Sequence, residues 1–227
     1  MTAKPIQPAR RQFLAGAIAS AVFLPFASPA YAQGLNLGKL LGGASDSALD
    51  KLAQPGAFYG DKEVRIGLPF VGKSRGGLLG TVLGGAEKLG VLDNIIRTVN
   101  DAAGVAAGEA KPIFRNAIDA IEFRDVPGIV SDSDGGTQYL RRNANDDLHT
   151  KLSPVVDTAL GDLGAFNQLD TLSAKHSFVK DAGLNREGMT RTVTDQGLDG
   201  IFTYMGKEER DLRRNPLGKV GNILDIF

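Results

Sequence analysis

The sequence predicts an all-α protein, a multi-helix bundle with one short extended arm near residues 63–70. Three observations lead to that class. Beyond residue 78, apolar residues recur mainly at spacings of three and four, the signature of helices that bury one face. Only Glu63 to Phe70 alternates with period two. Strand-like and helix-like segments never alternate in a sustained way, which argues against a Rossmann-type enzyme.

Met1 to Ala32 has the three parts of a secretory signal. Lys4, Arg10 and Arg11 stand without any acidic residue, an apolar run extends from Phe13 to Phe26, and Ala30-Tyr31-Ala32 offers a small-x-small cleavage site. The pair Arg10-Arg11 followed by Phe13-Leu14 resembles the twin-arginine signal, whose pathway exports folded cargo across the bacterial inner membrane. The other reading is a general secretory signal that happens to contain two arginines. A membrane anchor fits less well, because Pro25 interrupts the run and its length falls short of the ~20 residues a spanning helix needs. The expectation is cleavage near Ala32 and a periplasmic or secreted bacterial protein.

Residues 33–60 form a Gly/Ala/Leu-rich lead-in, little of which looks rigidly packed. A short helix is expected from Ser45 to Ala53, stopped by Pro55-Gly56. Residues 61–227 read as a single helical domain. Its arm carries Val64, Ile66, Leu68 and Phe70 on one side, and Pro69 limits it to an edge strand or a strap lying on helices. Helical spacing follows in Leu78, Leu79, Val82, Leu83 and Leu89, then in Val91, Leu92, Ile95, Ile96 and Val99. Glu109 to Ile121 repeats it through Ile113, Phe114, Ala117 and Ile118, with Pro112 tolerable near the helix start. The longest helix should run from about Thr137 to Leu160 on the stripe Leu140, Ala144, Leu148, Leu152, Val156 and Leu160, with a kink or break at Pro154. A last pair of helices is expected from the N-cap Asn185 to Arg214, ended by Asn215-Pro216 before an apolar tail.

Composition narrows the function. The chain has 26 basic and 26 acidic residues, and losing three basic ones with the signal leaves 23 against 26. That acidic balance argues against a nucleic-acid partner, which needs a basic surface. With no cysteine, there is no disulfide, thiolate metal site, cysteine nucleophile or lipidated cysteine. No phosphate loop, nucleophile elbow or HExxH arrangement appears, so no catalytic residue, metal or cofactor is assigned.

Three separated blocks, EAKPIFRNAIDAIEFRDVPGIV, TQYLRRNANDDLHTKLSPVV and VTDQGLDGIFTYMGKEERDLRRNP, resemble the bacterial domain of unknown function 4197 family, over about Leu49 to Phe227. The resemblance implies a mostly helical, often exported protein and no particular reaction. Two positions depart from the family pattern: Ile66-Gly67-Leu68-Pro69 stands where Ile-Pro-Leu-Pro is usual, and Gln196 where a lysine is common.

Lys111, Arg115, Asp125, Tyr139 and Arg141 lie in those blocks and are candidates to line a polar pocket. Their plainer reading is exposed basic residues and an Asp125 cap on a short helix starting near Val126. Arg142, Asp146 and His149, at i, i+4 and i+7, share nearly one helix face and join the candidates, since a histidine near a carboxylate can serve as a base. The plainer reading here is a solvated face. His176 is the only other histidine, too few for a metal centre of the usual ligand count. Gly76, Gly80 and Gly84 make a small-residue ridge suited to close helix packing or, less readily, to lipid contact. Glu208 to Arg214 reads as a solvated mixed-charge run with pairs such as Glu209 and Arg213.

The function expected is a soluble, non-enzymatic binding or scaffold module of the cell envelope, with an envelope protein as partner. The alternatives are a binder of lipid or another small hydrophobic ligand held between helices, and a hydrolase-like enzyme using His149 with Arg141 or Arg142. Helices with local contacts should also fold fast, a physical reason for export in the folded state.

Overall fold

Where the sequence carries its cleanest stripe, the structure carries a long helix with a buried face, although the longest helix among the described residues is Arg186–Arg214 rather than the one on that stripe. Described in a computed structural model are residues 29–68, 86–122, 129, 131–175 and 184–215. Among them are seven helices and no strand: α1 (Pro29–Leu52), α2 (Ala57–Gly60), α3 (Ala86–Glu109), α4 (Lys111–Asp119), α5 (Gly135–Asp162), α6 (Ala165–Lys175) and α7 (Arg186–Arg214). No helix among the described residues is long and apolar enough to cross a membrane.

All six residues of the stripe from Leu140 to Leu160 are buried on α5. Burying a leucine-sized side chain contributes about 1.5–3 kcal/mol, so this face alone ties α5 into the core. It packs chiefly against α7, with α3, α4 and α6 around it, while α1 packs along the other side of α7 and on α4. At the centre, Phe114 of α4 and Phe202 of α7 meet edge to face with ring centroids 5.9 Å apart. Positive-φ glycines make the tight turns, Gly56 (φ 73°) between α1 and α2 and Gly164 (φ 75°) between α5 and α6.

Several expectations need correcting. The segment 33–60 is not a loosely packed lead-in, since α1 runs through Leu52 and buries Leu41, Ala44, Ala48, Leu49 and Leu52 completely. Glycines at 34, 38, 42 and 43 lower the local helix propensity that the sequence shows, and tertiary burial overrides it. Pro154 does not break α5. It sits on an exposed position, where the carbonyl it strands, Thr150 O, can turn to water. The expected final pair is one continuous helix, α7, although Asn185 does cap it, accepting from Gly188 N at 2.8 Å. Helix α6 falls in a stretch the sequence reading left unassigned.

The arm is confirmed as a strap packed on helices. Val64, Ile66 and Leu68 are buried, and side-chain amides replace the strand partner. Asn100 of α3 accepts from Ile66 N (2.8 Å) and donates to Ile66 O (2.9 Å). Gln196 of α7 accepts from Gly67 N (2.9 Å) and donates to Gly67 O (3.1 Å). Tyr204 donates to Asp61 Oδ2 (2.8 Å) and Lys207 pairs with Glu63 (2.7 Å), so α7 also grips the strap's entrance. The signal segment before Pro29, Pro69 and Phe70, the glycine ridge 76–84, Asp125, the helix near Val126, His176 and the tail after Asn215 lie outside the described residues.

Candidate functional site: the groove between α5 and α7

Helices α5 and α7 are antiparallel, and their outer edges meet in a ladder of polar contacts. Rising along α5 and falling along α7, Asp134 meets Arg210 (2.5 Å), Arg141 pairs with Asp199, His149 Nε2 stands 3.1 Å from Asp195 Oδ1, and Asp157 takes Arg186 in a two-bond fork (3.0 and 2.5 Å). Between these rungs lie two depressions. One, of about 430 Å³, is lined by Arg141, Arg142, Asn145, Asp195, Leu198 and Asp199. The other, of about 720 Å³, lies around His149, Ser153, Asp157, Arg186, Thr190 and Arg191.

The rungs are open to water, which screens them, and what they fix is geometry. Asp157 is the most strongly held: the Arg186 guanidinium, with the Thr190 hydroxyl adding a bond at 3.0 Å, keeps its carboxyl below the usual range. Arg186 also lies over the Phe166 ring at 4.4 Å, which ties the groove to α6.

Below this groove, at the start of α5, sits a buried charged junction. Asp134 is the N-cap residue of α5 but makes no capping bond. Glu209 of α7, fully buried, supplies it instead, accepting from Gly136 N (3.0 Å) and Thr137 N (2.7 Å) and forking with Arg213 (2.9 and 2.6 Å). The adjacent Glu208 is also buried and accepts from Ser47 Oγ (2.6 Å) and Lys51 of α1. The reading of 208–214 as wholly solvated is thus corrected at both glutamates, while the Glu209–Arg213 pair stands as expected. The physical reason is that α5 begins in the interior, where its free N–H groups need an acceptor that water cannot provide.

The residues singled out from sequence are distributed over three places. Arg141, Arg142 and His149 line the α5–α7 groove. Lys111 and Arg115 face α1 instead, pairing with Asp50 (2.5 Å) and Asp46 (3.0 and 2.5 Å), and line neither depression. Tyr139 OH reaches the Glu122 carbonyl at 3.5 Å. Asp146 is exposed and lines neither depression, so the carboxylate beside His149 is Asp195 from the facing helix. Sequence reasoning missed Asp195, Asp199, Asp157, Arg186 and Thr190. A four-residue spacing links Asp195 to Asp199 and Arg186 to Thr190, but spacing does not say which helix a polar face meets.

Between the helices, Phe58, Ala103, Ala107, Leu152, Val193, Gly197 and neighbours enclose an apolar cavity of about 20 Å³, room for one water and no acyl chain. No group of three or more metal-ligating side chains assembles among the described residues. Compared with known families, residues 29–227 match the model described as "Protein of unknown function (DUF4197)". No curated protein and no solved structure matches the chain.

Proposed function

Starting from this chain's membership of the DUF4197 family of proteins of unknown function, we propose that it is a non-enzymatic binding module of the bacterial cell envelope, exported through its N-terminal segment, with the α5–α7 groove as its recognition surface. One observation carries the reading. The groove's carboxylates and guanidiniums are paired across two rigid helices, which presents a fixed pattern of donors and acceptors to a ligand. The cavity of about 20 Å³ favours this polar surface over a hydrophobic ligand held between the helices. Cleavage near Ala32 would fall within α1 and would keep Leu41, Ala44, Ala48, Leu49 and Leu52, the fully buried residues of that helix, in the mature chain.

The test is native mass spectrometry of protein gently purified from the periplasm, with and without Arg141→Ala and Arg142→Ala. A small molecule or envelope protein that co-purifies and is lost from the variants supports the module; a clean apo mass from both, with no partner recovered by cross-linking in cells, counts against it. The 3.1 Å contact of His149 with Asp195 beside an open groove favours one second reading, a hydrolase using His149 as base. Retention of any measured ester or amide hydrolysis in His149→Ala would dismiss that role.

A further inference from the structure

The smaller depression of the groove has walls of opposite sign. From α5 come Arg141, Arg142 and Asn145; from α7 come Asp195 and Asp199, with Leu198, 2% exposed, beside them as an apolar surface. These groups differ in how far they are satisfied within the protein. Arg141 is committed to Asp199, and elsewhere along the groove Arg186 is committed to Asp157 and Arg191 to Glu187. Arg142 is the one groove-lining arginine whose side chain makes no ion pair or hydrogen bond among the described residues, and the Asn145 carboxamide makes none either. On the facing wall, Asp195 uses only Oδ1, toward His149, and Asp199 only Oδ1, toward Arg141. Two donor groups on one wall and two carboxylate oxygens on the other are therefore open to a ligand, and the existing ion pairs hold both walls in place.

We propose that this depression recognises a small zwitterion, an amino acid or a dipeptide. The ligand's carboxylate takes the Arg142 fork and the Asn145 amide, and its ammonium takes the free oxygens of Asp195 and Asp199. The chemistry selects for both charges together. A simple anion gains Arg142 but faces two carboxylates, and a simple cation meets the reverse; a molecule carrying both signs a few ångströms apart satisfies both walls. At about 430 Å³ the depression has room for a molecule of that kind. The proposal rests on the groove being the recognition surface and names what that surface takes.

The experiment is a 15N-NMR titration of the full chain, as isolated from the producing cells, with alanine, leucine and Ala-Ala. N-acetylalanine, alaninamide, acetate and methylamine are titrated alongside. The expected result is saturable shifts confined to Arg141–His149 and Thr194–Asp199 for the zwitterions. Masking either terminus should weaken binding about tenfold, as should Arg142→Ala or Asp195→Asn, while Lys151→Ala, whose partner Asp147 lies outside the groove, binds like the parent. Unchanged thermal unfolding of Arg142→Ala keeps a folding defect from imitating lost binding. The proposal is overturned if no zwitterion shifts those resonances, or if acetate or methylamine binds as tightly as alanine. Should zwitterions fail while a ligand recovered from the periplasm still needs Arg141 and Arg142, this ligand class falls and the groove reading survives; should that recovery fail as well, both fall.

Discussion

Asn100 and Gln196 each spend one carboxamide on both backbone groups of a single strap residue, and the two sites differ in burial. Asn100 is 2% exposed, so Asn100→Ala leaves the Ile66 N–H and C=O unpaired in the interior and should cost about 2–4 kcal/mol by urea unfolding. Gln196 Oε1 accepts the Gly67 N–H, a group that a proline at 67 would lack, so Gly67 and Gln196 act as one feature. Gly67→Pro should destabilise this chain by about 1–2 kcal/mol, and by less in a Gln196→Lys background, whose lysine needs only the Gly67 carbonyl; equal losses in both backgrounds would show that the positions are uncoupled. Tyr204 gives a pH signature. Burial, then its bond to Asp61, pushes its phenol up to about 12 from the ordinary 10.0, so the folded state holds this proton more tightly than the unfolded chain does. The stabilisation is complete below pH 10, fades as pH rises toward 12, and should vanish from that window in Tyr204→Phe. None of these bonds was legible in the sequence, which marks Asn100 only as a polar residue on a helix and Gln196 only through its departure from the family resemblance. His149 was legible because histidines are few; Asp195, its partner, was one of many aspartates.

At the scale of elements, the cap on α5 comes from another helix. Glu209→Ala removes the buried acceptor for two helix-start amides and one partner of Arg213, and should cost about 2–4 kcal/mol in chemical denaturation. A loss below about 1 kcal/mol would mean that the junction rearranges around the gap. The glycines of α7 divide sharply. At Gly200 a methyl group would sit 3.0 Å from the Phe58 ring and 3.2 Å from Val64, so Gly200→Ala should cost about 1–3 kcal/mol. Gly197 has nothing within 4 Å and borders the small cavity, so Gly197→Ala should stabilise by about 0.5–1 kcal/mol through reduced unfolded-chain entropy. Paired thermal melts check both signs. Helices α3 to α5 were readable because their stripes are strong, and α7 because Asn185 and Asn215-Pro216 punctuate it. The extent of α1 was not, since its glycines hide a helix that packing imposes, and the burial of Glu208 and Glu209 was not, since an acidic pair looks the same on a surface as against a helix start.

For the whole molecule, the helical class and the strap follow from periodicity alone, and the order of packing does not. The expectation of mainly local contacts fails in several places, with the longest reach between α1 and α7, where Ser47 and Lys51 bond to Glu208 across more than 150 residues of chain. If the N-terminal segment directs twin-arginine export, replacing Arg10-Arg11 with Lys-Lys should leave the protein in the cytoplasm, which fractionation and immunoblotting would show; unchanged periplasmic recovery would remove that route. The α1–α7 seam bears on the same step by another argument. A ribosome delivers α1 first and α7 last, so the side of α1 that meets α7 has no permanent neighbour until the chain is nearly complete, although α3 and α4 can cover the rest earlier. Completion of the fold must await the end of translation, and until then that face is open to chaperones. A transporter that accepts finished cargo would suit such a protein because its first helix is completed by nearly its last.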